Sequence, residues 1–374
     1  MKRAYLFIVL SAAGVASFGV VDIVYFQTVG YALAFVGLMT AAFNVAVSAA
    51  ELPFAVLFDR YSNKLALQVG NALRVIAFLL FFLDLGPDSL LLAQVIAGFG
   101  VAASSGTSNA LVMKQVQSSQ PDRLSRAFGR ITYFSAAASV AGGLVGSAVY
   151  VVAPRDIWLV AVVFCLTAGL IIFGFSDTKT SNVRTPWPAY ARDVCAIARK
   201  RSTIALVLVN ASAVAPFLLW QLKFDMVSLA FLVFGFLLMN TAKVASPLLM
   251  GRLSLRTAHI PRVTIANVVA AALFGVSDAP WAVAASFFLH VLLHTLLLVL
   301  VSGVFHASVT DDIRATAGSI VSLFDSLVVA IVAPVVAWTG QVLGFGAAVA
   351  ISCVLYASVA AVTRHPPGVM SMEN

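Results

Sequence analysis

Twelve apolar runs, each long enough to cross a bilayer as a helix, occupy nearly the whole chain: residues 4–26, 31–57, 65–84, 89–113, 128–152, 157–175, 203–221, 227–250, 262–278, 280–306, 316–339 and 342–362. Hydrocarbon offers the backbone no partner, so a run of about 20 such residues must satisfy its own amides, which a helix does within one segment. An ordinary soluble enzyme is excluded. Hydrophobic residues make up 61% of the 374 and charged residues 10%, where soluble domains carry roughly 25% charge, and the mean hydropathy is +1.01. The expected fold class is an all-α membrane protein with twelve transmembrane helices.

Charge placement sets the expected orientation. The formal charge of +8 and the pI near 9.6 would raise the question of nucleic acid in a soluble protein. Here alternate connections collect nineteen of the 23 lysines and arginines, while the other side holds only Arg155 and Lys223, and Arg74 and Lys243 fall inside spans. Basic residues resist translocation, so the bias places both termini in the cytoplasm of a multi-pass protein of the cell (inner) membrane. Nucleic acid is not an expected partner. The Met1-Lys2-Arg3 start and the small residues Ser11-Ala12-Ala13-Gly14 have the outline of a signal peptide, yet the apolar run continues to Phe26 and is read as the first span.

The longest connection, 176–202, follows the sixth span. It divides the chain into a six-helix bundle at 1–175 and another at 203–374, with a cytoplasmic linker whose Trp187–Arg201 part alternates Tyr190, Val194 and Ile197 with bases as an interfacial helix would. The halves echo each other: Ser125-Arg126-Ala127-Phe128-Gly129 opens the fifth span, and Arg314-Ala315-Thr316-Ala317-Gly318 opens the eleventh. Internal duplication is a common build of transporters. Cys165, Cys195 and Cys353 are too dispersed for a disulfide framework or a metal knuckle.

Between the second and third spans stands Glu51-Leu52-Pro53-Phe54-Ala55-Val56-Leu57-Phe58-Asp59-Arg60-Tyr61-Ser62-Asn63-Lys64. It resembles the signature loop of the major facilitator superfamily, Gly-x-Leu-x-Asp-Arg-x-Gly-Arg-Lys. Leu57, Asp59, Arg60 and Lys64 match, while Ala55, Ser62 and Asn63 stand where the family has glycine, glycine and arginine. The Glu-Leu-Pro lead-in, with Ser105-Gly106-Thr107 and Ala110-Leu111, looks like one branch of that superfamily. The resemblance implies that Asp59, Arg60 and Lys64 form a latch between conformations; a charged loop serving only to set topology is the alternative. The equivalent loop of the second half, Gly251-Arg252-Leu253-Ser254-Leu255-Arg256, has no acid. Of the Gly-Pro-x-x-Gly-Gly that antiporters of the superfamily carry in the fifth span, only Gly142 and Gly143 match; with Gly146 they permit close helix approach, while the missing Gly-Pro weakens the argument for antiport and leaves the direction open.

An ionisable group inside a span is costly and marks a candidate site. Seven qualify: Asp22, Glu51, Arg74, Lys243, His290, His294 and Asp325. At about 1.5 Å per residue, Glu51 and Arg74 lie at similar depth on consecutive helices and are expected to pair. Lys243 and Asp325 are likewise matched, about 12–13 Å from the cytoplasmic ends of the eighth and eleventh spans; a pair broken by protonation would couple conformation to protons, and a static pair is the alternative. Asp22 is a candidate for a cation or proton. His290 and His294 share one face of the tenth span and are candidates for proton or substrate contact. Trp220, Gln221 and Trp338 are weaker candidates for solute contact.

No enzyme is expected. The tenth span reads His290-Val291-Leu292-Leu293-His294, without the glutamate of a zinc-protease helix, and no phosphate-cradling loop provides for nucleotide hydrolysis. No metal or other cofactor is expected. The expected protein is a monomeric secondary transporter that moves a small organic solute by alternating access, with protons as the coupling ion and efflux by antiport as the preferred direction. Uptake by symport or facilitated flux is the first alternative, and a transporter-like sensor or assembly partner without flux is the second.

Overall fold

The computed structural model describes residues 2–104, 124–175, 196–253, 255–309 and 314–363. Twelve helical segments among them are long and apolar enough to cross a membrane, and each coincides with one of the twelve runs in the sequence. The chain divides into two compact units, Met1–Arg184 with Leu229–Leu237, and Thr185–Ser228 with Leu238–Asn374. The start of the eighth span thus groups with the first unit, whereas the sequence assigned it to the second. Ile197 is 1% exposed within the second unit's apolar core, alongside Val209, Leu297 and Tyr356. Ile197 therefore anchors the end of the linker on that unit; residues 187–195 lie outside the described residues.

In the first unit the helices are Lys2–Gly19 and Asp22–Thr28 (first span), Leu33–Tyr61, Asn63–Leu83, Pro87–Ser104, Leu124–Val152 and Ile157–Phe173. Span one packs on five and six, span three on four and six, and span two on four. The second unit holds Arg201–Ser212 and Val214–Asp225 (seventh span), Leu229–Leu253 from Leu238 onward, Ile260–Val276, Pro280–Ala307, Arg314–Leu343 and Phe345–Thr363. Its spans repeat the scheme, seven on eleven and twelve, and nine on ten and twelve.

Lipid tails are as apolar as leucine, so helices associate in a membrane by close packing and by polar contacts between them. The chain uses both. A Cβ on Gly146 would collide with the Ser17 carbonyl oxygen, and one on Gly142 with that of Ala13. The fifth span therefore meets the first backbone to backbone, as the glycine spacing predicts. Gly70 and Gly100 make the same contact reciprocally between spans three and four. Asn71 Nδ2 donates to the Cys165 carbonyl at 2.7 Å, tying span three to span six, and Ser246 Oγ donates to that of Leu292 at 2.7 Å, tying eight to ten. Phe18, Tyr25, Phe26, Phe78 and Phe81 surround Trp158 with centroid distances of 4.7 to 6.4 Å, filling the junction of spans one, three and six.

The glycine contacts lead to a packing test. Gly146→Ala is expected to lower the thermal midpoint of the detergent-solubilised protein by an amount equivalent to at least about 1–3 kcal/mol, the usual cost of overpacking. Gly303→Ala, where nothing lies within 4 Å of the added carbon, is expected to leave it unchanged. Equal midpoints for the two variants in a fluorescence melt would show that spans one and five are not in backbone contact.

Candidate functional site

Two spans at corresponding positions in the halves, the first and the seventh, are interrupted inside the apolar region. The first stops at Gly19 and restarts at Asp22, with Val20 and Val21 fully buried between the pieces. Glycine and two β-branched residues are poor helix formers, whereas an acid is favoured at a helix start. The seventh stops at Ser212 and restarts at Val214. Here the cause is Pro216, which has no N–H to offer the Ser212 carbonyl. The backbone N–H of Ala215, beside the break, donates to Ser352 Oγ of the twelfth span at 3.3 Å. Discontinuous spans in corresponding places are the strongest structural pointer to a transporter's site.

Around the seventh-span break the second unit gathers its embedded polar groups. On one side, Asn210 Nδ2 donates to Asp325 Oδ2 at 2.7 Å. On the other, the half-buried Phe217 ring carries the Lys243 ammonium 5.5 Å from its centroid. The same ring lies edge-on to His294 at 5.6 Å and tilted against His290 at 6.2 Å. The two imidazoles stack at 6.1 Å, as their spacing predicts. His294 Nδ1 shares a hydrogen bond of 2.9 Å with the hydroxyl of fully buried Tyr356; Asn267 is also buried, and neither of its side-chain polar atoms has a hydrogen-bond partner. His290 is 0% exposed, and neither ring nitrogen has a hydrogen-bond partner. Among the described residues Lys243 forms no ion pair. The structure thus brings Lys243 to His294 through Phe217 and gives Asp325 a contact with Asn210. No three metal-ligating side chains converge among the described residues.

The first unit holds the other candidates. Asp22 is the first residue of the short Asp22–Thr28 helix, where its charge faces the positive helix end. Glu51 is 6% exposed. Arg74 Nη2 donates to Ser104 Oγ of the fourth span at 2.6 Å rather than to Glu51. Of the loop residues, Lys64 Nζ donates to the Phe173 carbonyl at the end of the sixth span, at 2.8 Å. Asp59 and Arg60 lie in the helix Leu33–Tyr61, and their side chains lie outside the described residues. Ser62, standing where the signature has glycine, caps the third span by accepting from the Leu65 N–H at 3.1 Å.

Asn210, Phe217, Asn267 and Tyr356 are absent from the sequence-based candidates. The signal available was that Asn210, Asn267 and Tyr356 are isolated polar groups in long apolar spans, where burial favours pairing; Asn210 and Tyr356 are paired. Trp220 changes role. It is 3% exposed and stacked on Phe287 at 5.7 Å, so it packs the core of the second unit. Trp338 is 54% exposed on the helix surface.

The two bases that depart from the charge bias have matching tasks. Arg155 donates to the carbonyls of Phe82 and Leu83, where the third span ends, and lies over the Phe82 ring at 5.0 Å. Lys223, 6% exposed, donates to the Gly275 carbonyl near the end of the ninth span at 2.9 Å and lies over Phe274 at 5.4 Å. Each cation meets the negative end of a helix whose last carbonyls lack intrahelical donors. Beside Arg155, an open cavity of about 330 Å³ is lined by Tyr25, Val29, Asp84, Pro154 and Arg155. Asp84 takes the left-handed conformation that ends the third span and accepts from the Tyr31 hydroxyl at 2.6 Å. Burial and the Asp84 carboxylate push the Tyr31 phenol up to about 12.

Comparison with known proteins follows the geometry. The profile of the Major Facilitator Superfamily matches residues 4–266. Among solved structures the chain is similar to the nucleoside transporter NupG, at 14% identity and TM-score 0.76 over 98% of this chain and 100% of that one. It is similar to the human organic anion transporter MFSD10 at 14% identity and TM-score 0.70, over 97% and 98%. A POT family transporter in complex with 5-aminolevulinic acid aligns at 10% identity and TM-score 0.77, over 97% and 94%. At such identities the likeness establishes the fold alone. No curated protein matches the sequence.

The helix-end contacts predict unequal costs. Lys223→Met leaves the Gly275 carbonyl buried without its donor and is expected to destabilise the protein by about 1–3 kcal/mol. Arg155→Gln, at an exposed site, is expected to cost under about 1 kcal/mol. Thermal unfolding of the two variants in one detergent measures the difference, and a larger loss for Arg155→Gln would overturn the assignment.

Proposed function

The chain belongs to the Major Facilitator Superfamily, and from that premise we propose that it exports a small organic solute across the cytoplasmic membrane by alternating access, in exchange for protons. Its class, a secondary transporter, follows from the family. The proton-coupled cycle is supported by one observation: titratable and polar groups from spans seven, eight, ten, eleven and twelve converge on the broken seventh span. In this cycle Asp325 carries the proton. Ionised, it is a strong acceptor for Asn210 and holds the Arg201–Ser212 piece of the seventh span to the eleventh; protonated, it is a weaker acceptor and that tie loosens. The break lets one piece of the span move without the other. Asp22, at the corresponding break of the first span, is the second proton candidate.

Gly142 seats the fifth span on the first and Gly143 packs beside that contact; the Gly-Pro of the antiporter signature is missing, so the exchange reading rests on the titratable groups at the seventh-span break. The steep bias of basic residues supports cytoplasmic termini. A single chain contains both units, which supports a monomer as the working form.

Proteoliposomes loaded with the pH dye pyranine provide the test. With an imposed pH gradient, members of a panel of matched neutral, cationic and anionic aromatic solutes are expected to drive proton movement through the native protein. Asp325→Asn is expected to reduce it at least about tenfold, and Asp22→Asn to reduce it less. Solute flux that ignores the pH gradient, with both substitutions silent, would remove proton coupling while leaving transport intact.

A further inference from the structure

Lys243 lies in the eighth span, about 15 Å from its Leu253 end at 1.5 Å per residue, and its side chain is exposed. Among the described residues no carboxylate pairs with it; its contact is the face of Phe217. Asp325, the acid at matched depth, accepts from Asn210. The other ionisable neighbours around Phe217 are His290, His294 and the phenol of Tyr356, which adds no negative charge near neutral pH. The cluster is therefore a cation, two imidazoles, a phenol and a ring, with no acid among them. An ammonium held inside a membrane without a counter-charge is unfavourable by several kcal/mol, and an aromatic face returns only about 0.5–2 kcal/mol of that. None of the described residues supplies the missing counter-charge.

We propose that Lys243 is the recognition point for the transported solute, and that this solute is an organic anion whose carboxylate or sulfonate meets the Lys243 ammonium while its apolar body takes over the face of Phe217. The inference rests on the transporter reading and adds the substrate class to it. A charge-assisted hydrogen bond to an anion is stronger than the cation–π contact it replaces, so the ammonium leaves the ring when the solute arrives and the ring face is freed for the solute's body. His294, with Nδ1 engaged by Tyr356, keeps Nε2 as a second polar contact beside Phe217. Its position is fixed by that hydrogen bond and by stacking on His290. A cationic solute would face Lys243 directly.

The test separates binding from flux. Benzoate, benzenesulfonate, benzamide and benzylammonium share one ring and differ in charge. In thermal-shift titrations of the full-length protein in detergent, the two anions are expected to stabilise the native chain in a saturable way, and the neutral and cationic analogues are not. Lys243→Met is expected to raise the half-saturating anion concentration at least tenfold, and Lys243→Arg to stay within about threefold of the native value. Because Lys243→Met fills the site with an apolar chain of similar length, its unliganded melting point reports whether it folds; should it fail to fold, Phe217→Leu, expected to weaken binding of the anions while sparing their selectivity over benzylammonium, takes its place. Stabilisation by benzylammonium or benzamide equal to that by the anions, no anion-specific stabilisation at all, or anion binding unaffected by Lys243→Met would each overturn the proposal. Saturable anion binding without benzenesulfonate flux in proteoliposomes would instead leave the site and remove the transport reading. Flux of a neutral or cationic analogue that survives Lys243→Met would keep transport and remove the anion site.

Discussion

A helix interrupted inside hydrocarbon exposes backbone groups that no water reaches, and each such group costs several kcal/mol unless something in the protein meets it. The seventh span accepts this cost at Ser212–Val214, where Pro216 denies the Ser212 carbonyl its donor. What the break requires then shapes its surroundings. The twelfth span must come close enough for Ser352 to accept from Ala215. Before the break Asn210 meets Asp325, and after it Phe217 meets the histidines and Lys243.

The first unit solves a related problem with different residues. Gly19, Val20 and Val21 end one helix and Asp22 starts the next, and the gap is sealed by complete burial of both valines. Immediately before the break, the first span is held against the fifth by glycine contacts at Ala13 and Ser17. Helix ends are handled alike in both units. Arg155 and Lys223 cover the carbonyls that terminate spans three and nine, while Arg3 and Lys64 reach those that terminate span six, and Lys200 reaches Ser308 at the end of span ten. Spans three and nine, equivalent in the two halves, thus each receive a cation, although the cations come from different places in the sequence.

The fold was legible because its determinants are local: a run of about 20 apolar residues declares itself without reference to anything distant, and all twelve runs reappear as helices. The site was legible only in part. Depth could be computed from the rise per residue, which is why Lys243 and Asp325 stood at the same level, but direction around the helix depends on packing. Packing sets Asn210 beside Asp325 and Phe217 beside Lys243. His290 and His294 were visible as a pair because their spacing is local, whereas Tyr356, 62 residues from His294, was not. Arg155 and Lys223 stood out as exceptions to the charge bias, and their tasks emerged only when the third and ninth helix ends came within reach.

In the proposed cycle, the proton acts at Asp325 and the solute at Lys243, and both contacts end on the seventh span, on opposite sides of its break. That placement bears on how strongly the two can be coupled. If the span were continuous, loosening Asn210 and drawing the ammonium from Phe217 would move one rigid rod, and either event alone would produce the same displacement. With the break between them, Arg201–Ser212 answers to the acid and Val214–Asp225 answers to the solute. Coupling then passes through the junction fixed by Ser352. A ligand shifts an equilibrium only by its differential affinity for the two states, so an anion that binds alike in both leaves the proton's tie untouched. Coupling therefore requires that the Lys243–Phe217 separation change with the angle of the break, which makes the Ala215–Ser352 hydrogen bond the element whose two states both sites must bias.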